Sequence, residues 1–152
     1  MFNELALSTV LALLAVSIHG FGLLGLGRGL EFYEHRAGRS YVEGPLWRHA
    51  LLTIAVVLGL FVVHGAEIWM YAAVYRVIGA VPELREAVYF SSISYGSIGY
   101  SDALMAPQWR LLGAIEGVAG AILLGWSVAF FVSVMTPFTS RRKHGMVHRD
   151  NP

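Results

Sequence analysis

Apolar residues run along this chain in three long blocks, roughly Leu5 to Leu26, Ala50 to Tyr75 and Leu111 to Val134. Each is long enough to cross a hydrocarbon layer, which takes about 20 residues at 1.5 Å rise per residue, so three membrane-spanning helices are predicted. The first block is not read as a secretory signal. It is too long for the apolar core of such a peptide, follows Asn3 and Glu4 where a basic cluster would stand, and lacks a convincing small-residue cleavage site. Between the second and third blocks the pattern changes twice. Gly79 and Pro82 end one helix and open another, with Pro near the first turn and Glu83 and Glu86 favoured by the positive helix end. A short re-entrant helix from about Glu83 to Ser94 is therefore expected. The stretch SSISYGSIGYSD, Ser91 to Asp102, then puts glycines and small hydroxyl residues where a simple membrane protein would have a plain loop. Irregular backbone at membrane depth is tolerated only when buried in protein or lining water.

Composition agrees with a membrane protein. The chain has 152 residues, 56% hydrophobic and 14% charged, against the roughly 25% charge of soluble domains. It has no cysteine, which excludes disulfides, thiolate metal sites and a cysteine nucleophile, and its net charge of +1 carries no nucleic-acid signal. The distribution of basic residues says more than their sum. Arg28, Arg36, Arg39 and Arg48 lie between the first two blocks, Arg141, Arg142, Lys143 and Arg149 follow the third, and only Arg76, Arg85 and Arg110 flank the segment between the second and third. By the positive-inside rule the first loop and the tail face the cytoplasm, the amino terminus lies outside, and the glycine–serine segment sits at the outer mouth. The basic loop and tail also predict attraction to anionic lipids at the cytoplasmic face, about 1 kcal/mol per residue.

Ser97-Ile98-Gly99-Tyr100-Ser101-Asp102 resembles the TVGYGD filter of the potassium-channel pore-domain family, in which backbone carbonyls replace the hydration shell of a permeating cation. Successive carbonyls of an ordinary strand point to opposite sides. A stack of oxygens therefore needs left-handed backbone, which Gly99 takes freely, whereas Ser101, where the family has a second glycine, would bear about 1–2 kcal/mol there. Ser97 keeps the family hydroxyl without its methyl, and Gly96 stands where another threonine is common. The resemblance covers roughly Ala50 to Val134. It implies an all-α membrane protein of three transmembrane helices plus a re-entrant pore helix and filter loop, assembled as a homotetramer in the cell membrane, with an extra helix in front of the family's minimal pore. The expected division is residues 1–48 for the first helix and cytoplasmic loop, 49–136 for the pore domain and 137–152 for a short basic tail.

The resemblance further implies potassium ions held at Ser97, Ile98, Gly99, Tyr100 and Ser101. Tyr89 and Phe90 fall where the family has an aromatic pair on the pore helix, and Asp102 falls where it has the aspartate after the filter, with Trp109 and Tyr89 as alternative donors to it. Taken alone, the aromatics could equally be interfacial anchors. Gly113, Gly117 and Gly120 share one face of the third helix. Close packing through small residues accounts for most of them, and Gly117 and Gly120 are the candidates for a gating hinge.

Ionisable residues within the spans are expensive and mark functional hypotheses. Glu67, with His64 on the same face, is expected first to brace the back of the filter, with titration as a gate sensor as the second role and a carboxylic acid kept protonated and hydrogen-bonded to Trp69, Tyr71 or a backbone group as the structural alternative. Glu116 is placed in the same polar cluster, and His19 is read as a packed polar residue. The function expected is passive potassium conduction by a non-enzyme without a cofactor other than potassium ions. A weakly selective cation channel and a non-conducting scaffold or regulatory subunit are the alternatives. A haem-binding bundle using His19 and His64 as axial ligands is disfavoured because the two residues count out to depths about 10 Å apart.

Overall fold

The computed structural model describes residues 2–38, 44–99, 101 and 103–147, with side chains described as far as residue 136. The described residues form helices α1 (Phe2–Ala37), α2 (Leu46–Val77), α3 (Leu84–Tyr95) and α4 (Arg110–Val147), a 3-10 turn Pro107–Trp109 leading into the last. No strand occurs among them. Three segments are long and apolar enough to cross a membrane, Phe2–Ala37, Leu46–Val77 and Pro107–Thr136. The twelve residues of α3 fall well short of a span, and α3 is the short helix expected between the second and third. The protein is a multi-pass membrane protein.

The spans are apolar nearly all round, the pattern of helices in lipid or deep in a large assembly. At most 22% of any spanning window is buried within the chain, so most of that surface is available to lipid or to other chains. What turns inward mixes aromatic and aliphatic side chains with a few buried polar ones. α1 buries Ser8, Leu11, Ala15, His19 and Leu23, one stripe at spacings of three and four. Along α2 the buried line includes Val63, Glu67, Tyr71 and Tyr75. The core joins Leu11 and Ala15 of α1, Tyr71 and Tyr75 of α2, Phe90 and Tyr95 of α3, and Leu112 and Leu123 of α4. The first helix is thus part of the bundle, packed on both α2 and α4. The two meet closely at Gly22 of α1, where an added methyl would overlap the Val63 side chain, and at Gly59 of α2, where it would overlap Leu26.

The connection between α1 and α2 is shorter than the polar stretch from Arg28 to Arg48 suggests, because α1 continues as helix to Ala37. Arg36 stacks over Phe32 at 4.5 Å, and Arg48 over Trp47 at 5.3 Å, arrangements in which an aromatic face attracts a cation.

Gly79 explains how α2 stops. Its φ of 69° is left-handed, a conformation that glycine adopts without penalty. Gly79 N–H donates to Arg76 carbonyl and Ala80 N–H to Tyr75 carbonyl, satisfying two of the last carbonyls of the helix. The chain then reverses through Pro82, whose carbonyl accepts from Arg76 Nη1 at 3.0 Å, and starts α3. Ala106 N–H returns to Ala80 carbonyl at 2.9 Å, so the segment that follows the candidate filter is pinned to the same turn.

Candidate functional site

The site is built around the carboxyl end of α3. Tyr95 is the last helical residue and Gly96 the cap. Ser97 N–H donates to Ser94 carbonyl at 3.0 Å and Ile98 N–H to Ile93 carbonyl at 3.0 Å. That pair of bonds closes a helix with one left-handed residue, and the left-handed residue is Ser97, with φ 53°. Here the structure corrects the sequence expectation, which put left-handed backbone at Gly99. Gly99 is not among the positive-φ glycines. The carbonyls of Ile93 and Ser94 need donors immediately after the helix, and that requirement falls two residues earlier than the filter resemblance suggests. A serine at this φ bears about 1–2 kcal/mol of steric cost.

Ser97, Ile98 and Gly99 are exposed on the single chain, Ile98 to 80%. Ser94, Ser97 and Gly99 face Gly113, Ala114 and Gly117 of α4 across an open groove. Ser101 is partly buried and its carbonyl accepts from Leu104 N–H at 3.3 Å. Tyr100 and Asp102 lie outside the described residues. Tyr89 and Phe90 point to different sides: Phe90 is fully buried, edge-on to Tyr75 at 5.6 Å, whereas Tyr89 is 54% exposed. Within one chain they form no common cuff. Trp109 packs partly buried against the core.

Two buried polar clusters hold this helix end from behind. In the first, Tyr95 donates its hydroxyl to Glu67 Oε2, Glu67 Oε1 faces His19 Nδ1 at 3.0 Å, and His64 Nδ1 lies 2.9 Å from Tyr95 Oη and 3.3 Å from Glu67 Oε2. Ser127 of α4 closes the cluster, its Oγ 2.9 Å from His64 Nε2 and 3.4 Å from His19 Nε2. Glu67 and His19 are completely buried. All four helices contribute, so the residue before the Gly96–Ser97 cap is tied to α1, α2 and α4 at one point. Trp69, a partner suggested by the sequence, is 56% exposed and faces away.

The second cluster corrects the placement of Glu116 beside Glu67. Glu116 is completely buried but meets Tyr75 and Ser91, each 2.5 Å from a carboxyl oxygen. Ser91 Oγ also lies 3.1 Å from Ile68 carbonyl. A serine hydroxyl has one proton and a carbonyl can only accept. With the proton on the shorter bond, Ser91 and Tyr75 both donate to the Glu116 carboxyl; with the Ser91 proton on Ile68 carbonyl, the proton between Ser91 and Glu116 is the carboxyl's own. Between the clusters sits Tyr71, the one residue among those described whose buried side-chain hydroxyl has no partner.

Gly117 and Gly120 of α4 face α3 directly. An added methyl on Gly117 would lie 3.2 Å from Ser94 carbonyl, and one on Gly120 would lie 2.9 Å from Tyr95 Cα. Ser94 Oγ reinforces the contact by donating to Gly113 carbonyl at 2.6 Å.

The sequence reading missed the meeting of His19 and His64, whose ring centroids are 5.2 Å apart. Its depth count ended the first helix at Leu26. In the structure His19 stands eighteen residues before the end of α1 and His64 eighteen residues after the start of α2, hence at the same level. Haem ligation is no better served by this. Both Nδ1 atoms face one carboxylate, whereas axial ligands must face the two sides of a plane.

The family model described as "Ion channel" matches residues 51–137, which include α3, both clusters' α2 and α4 residues and the candidate filter. No curated protein and no solved structure matches the chain.

Proposed function

Since the chain belongs to the two-transmembrane, potassium-channel-like ion-channel family, we propose that it conducts potassium passively through a filter made by Ser97, Ile98, Gly99, Tyr100 and Ser101. The observation that carries this reading is the carboxyl end of α3, which leads directly into the exposed residues Ser97, Ile98 and Gly99 between two spanning helices. The negative pole of a helix dipole at such a point favours a waiting cation. Backbone carbonyls and the Ser97 hydroxyl supply the oxygens, and no covalent chemistry is involved.

One chain contributes a single filter segment, and a cage of carbonyl rings needs several, so four copies surround one axis in this reading. The outward-facing Tyr89 and Ile98 and the open groove beside Ser97 offer surface for neighbouring copies. The same reading places the protein in the cell membrane with its amino terminus outside, the basic loop and tail against anionic lipid. Glu67, Glu116, Trp109 and Asp102 support the filter.

Purified protein in liposomes under opposed potassium and sodium gradients tests the proposal. The expected result is a reversal potential close to that of potassium. A weakly selective cation channel is the second reading, favoured by Ser101 in place of the family glycine, and it gives a reversal potential near zero. Absence of flux from a correctly assembled protein overturns both in favour of a scaffold.

A further inference from the structure

We propose that His19, His64 and Glu67, joined by Tyr95, form a binding site for a divalent transition metal of the zinc class in the interior of the helix bundle.

Four potential ligand atoms converge there from three helices. The donor atoms of His19, His64 and Glu67 all lie within 4.8 Å of one another. Neighbouring pairs are closer: His19 Nδ1 is 3.0 Å from Glu67 Oε1, His64 Nδ1 is 3.3 Å from Glu67 Oε2 and 2.9 Å from Tyr95 Oη. A tetrahedral ion with bonds of about 2.0–2.1 Å to nitrogen and oxygen separates its ligands by about 3.3 Å. Those three separations lie within about half an ångström of that value, while the closer Tyr95–Glu67 pair must open and the widest pairs of the cluster must draw in around the ion.

The outer contacts also fit. Metal-bound histidines direct their second ring nitrogen to a hydrogen-bond acceptor that fixes the tautomer, and here both Nε2 atoms face the same hydroxyl, Ser127 Oγ, at 2.9 and 3.4 Å. When both donate to Ser127, the inner side holds two Nδ1 lone pairs and two carboxylate oxygens with one proton, that of Tyr95, among them. Reversing both tautomers supplies inner protons but leaves two Nε2 acceptors facing a hydroxyl that has only one proton to give. Opposed tautomers, with Glu67 protonated toward His19 Nδ1 and His64 Nδ1–H donating to Tyr95, satisfy the metal-free cluster. A cation at the centre takes the place of that carboxyl proton and leaves both Nε2–H groups on Ser127.

The ligand chemistry selects the ion. Two imidazoles, a carboxylate and a phenol suit zinc and its transition-metal neighbours, while magnesium, calcium and potassium prefer all-oxygen cages. The side chains of His19 and Glu67 are 0% exposed and that of His64 is 14% exposed, which gives an approach from the His64 side. Occupancy would lock α1 to α2 and to the last residue of α3. The site is separate from the filter and does not depend on which ion is conducted.

The test uses the full, tag-free chain in detergent, stripped with a chelator and titrated with Zn²⁺ against a chromophoric competitor and with Co²⁺ by visible absorption. The expected result is one site per chain with the intense d–d bands of four-coordinate Co²⁺, undisturbed by excess Mg²⁺ or K⁺. His19→Gln and Glu67→Gln should remove those bands while helical circular dichroism is retained, and metal held by His35, His49, His144 or His148 would survive both changes. Ser127→Ala, which leaves every ligand in place, should weaken binding by about tenfold and keeps the test readable should a ligand variant fail to fold. A wild-type chain without the d–d bands, or bands that persist unchanged in all three variants, overturns the proposal and leaves a purely hydrogen-bonded cluster.

Discussion

Gly120 of α4 lies against the backbone of Tyr95, so closely that an added methyl would stand 2.9 Å from Tyr95 Cα. The partner is main chain, which cannot swing aside as a side chain could. Gly120→Ala should therefore push α4 off the end of α3 at a cost of about 1–3 kcal/mol, the range for overpacking. Thermal unfolding in detergent measures it. Unchanged stability with altered open probability would instead assign Gly120 to a gating hinge.

Glu67 should tolerate Gln better than Ala. Glutamine retains an acceptor for Tyr95 or His19, whereas alanine leaves buried donors unpaired at about 1–3 kcal/mol. Stability and flux of the two variants are the measurement. Equal, unimpaired behaviour would show that the cluster does not support the end of α3.

Glu116→Gln should be nearly silent. An amide donates to Ser91 Oγ and accepts from Tyr75, as a neutral carboxyl does in the arrangement where Ser91 gives its proton to Ile68 carbonyl. Glu116→Ala should lose about 1–3 kcal/mol. A Gln variant as damaged as the Ala variant would mean that the carboxylate is ionised.

Tyr71→Phe should leave stability unchanged or raise it slightly, since the hydroxyl removed is buried without a partner and forfeits its hydration on folding. A clear loss of thermal stability would reveal a bound water joining Tyr71 to the neighbouring carboxyls.

Ser101→Gly restores the residue the potassium-channel family has at that point. With a family-like filter the change should raise potassium preference over sodium, because glycine visits left-handed backbone without penalty. Reversal potentials of wild type and variant decide it. Lower selectivity in the variant would mean that the serine hydroxyl organises the outer filter.

The three spans were legible because burying about 20 apolar residues in hydrocarbon depends on run length alone, and the break before α3 was legible because Gly79 and Pro82 have few other backbone uses. The filter segment stood out for a similar local reason, its glycines and hydroxyls being misplaced for a plain loop. Which way each span faces was not legible. A helix that is apolar all round carries no hydrophobic phase, so the inward stripe of α1 and the separation of Tyr89 from Phe90 had to come from packing. The level of His19 against His64 depends on where α1 ends, and the mixed residues from Arg28 to Ala37 signal neither helix nor loop by hydropathy. Only tertiary structure could decide that Glu67 meets His19 and Tyr95 as well as His64 while Glu116 meets Tyr75 and Ser91, because a buried carboxyl takes whichever polar partners the neighbouring helices bring to its depth, and all of these but His64 lie far away in the chain.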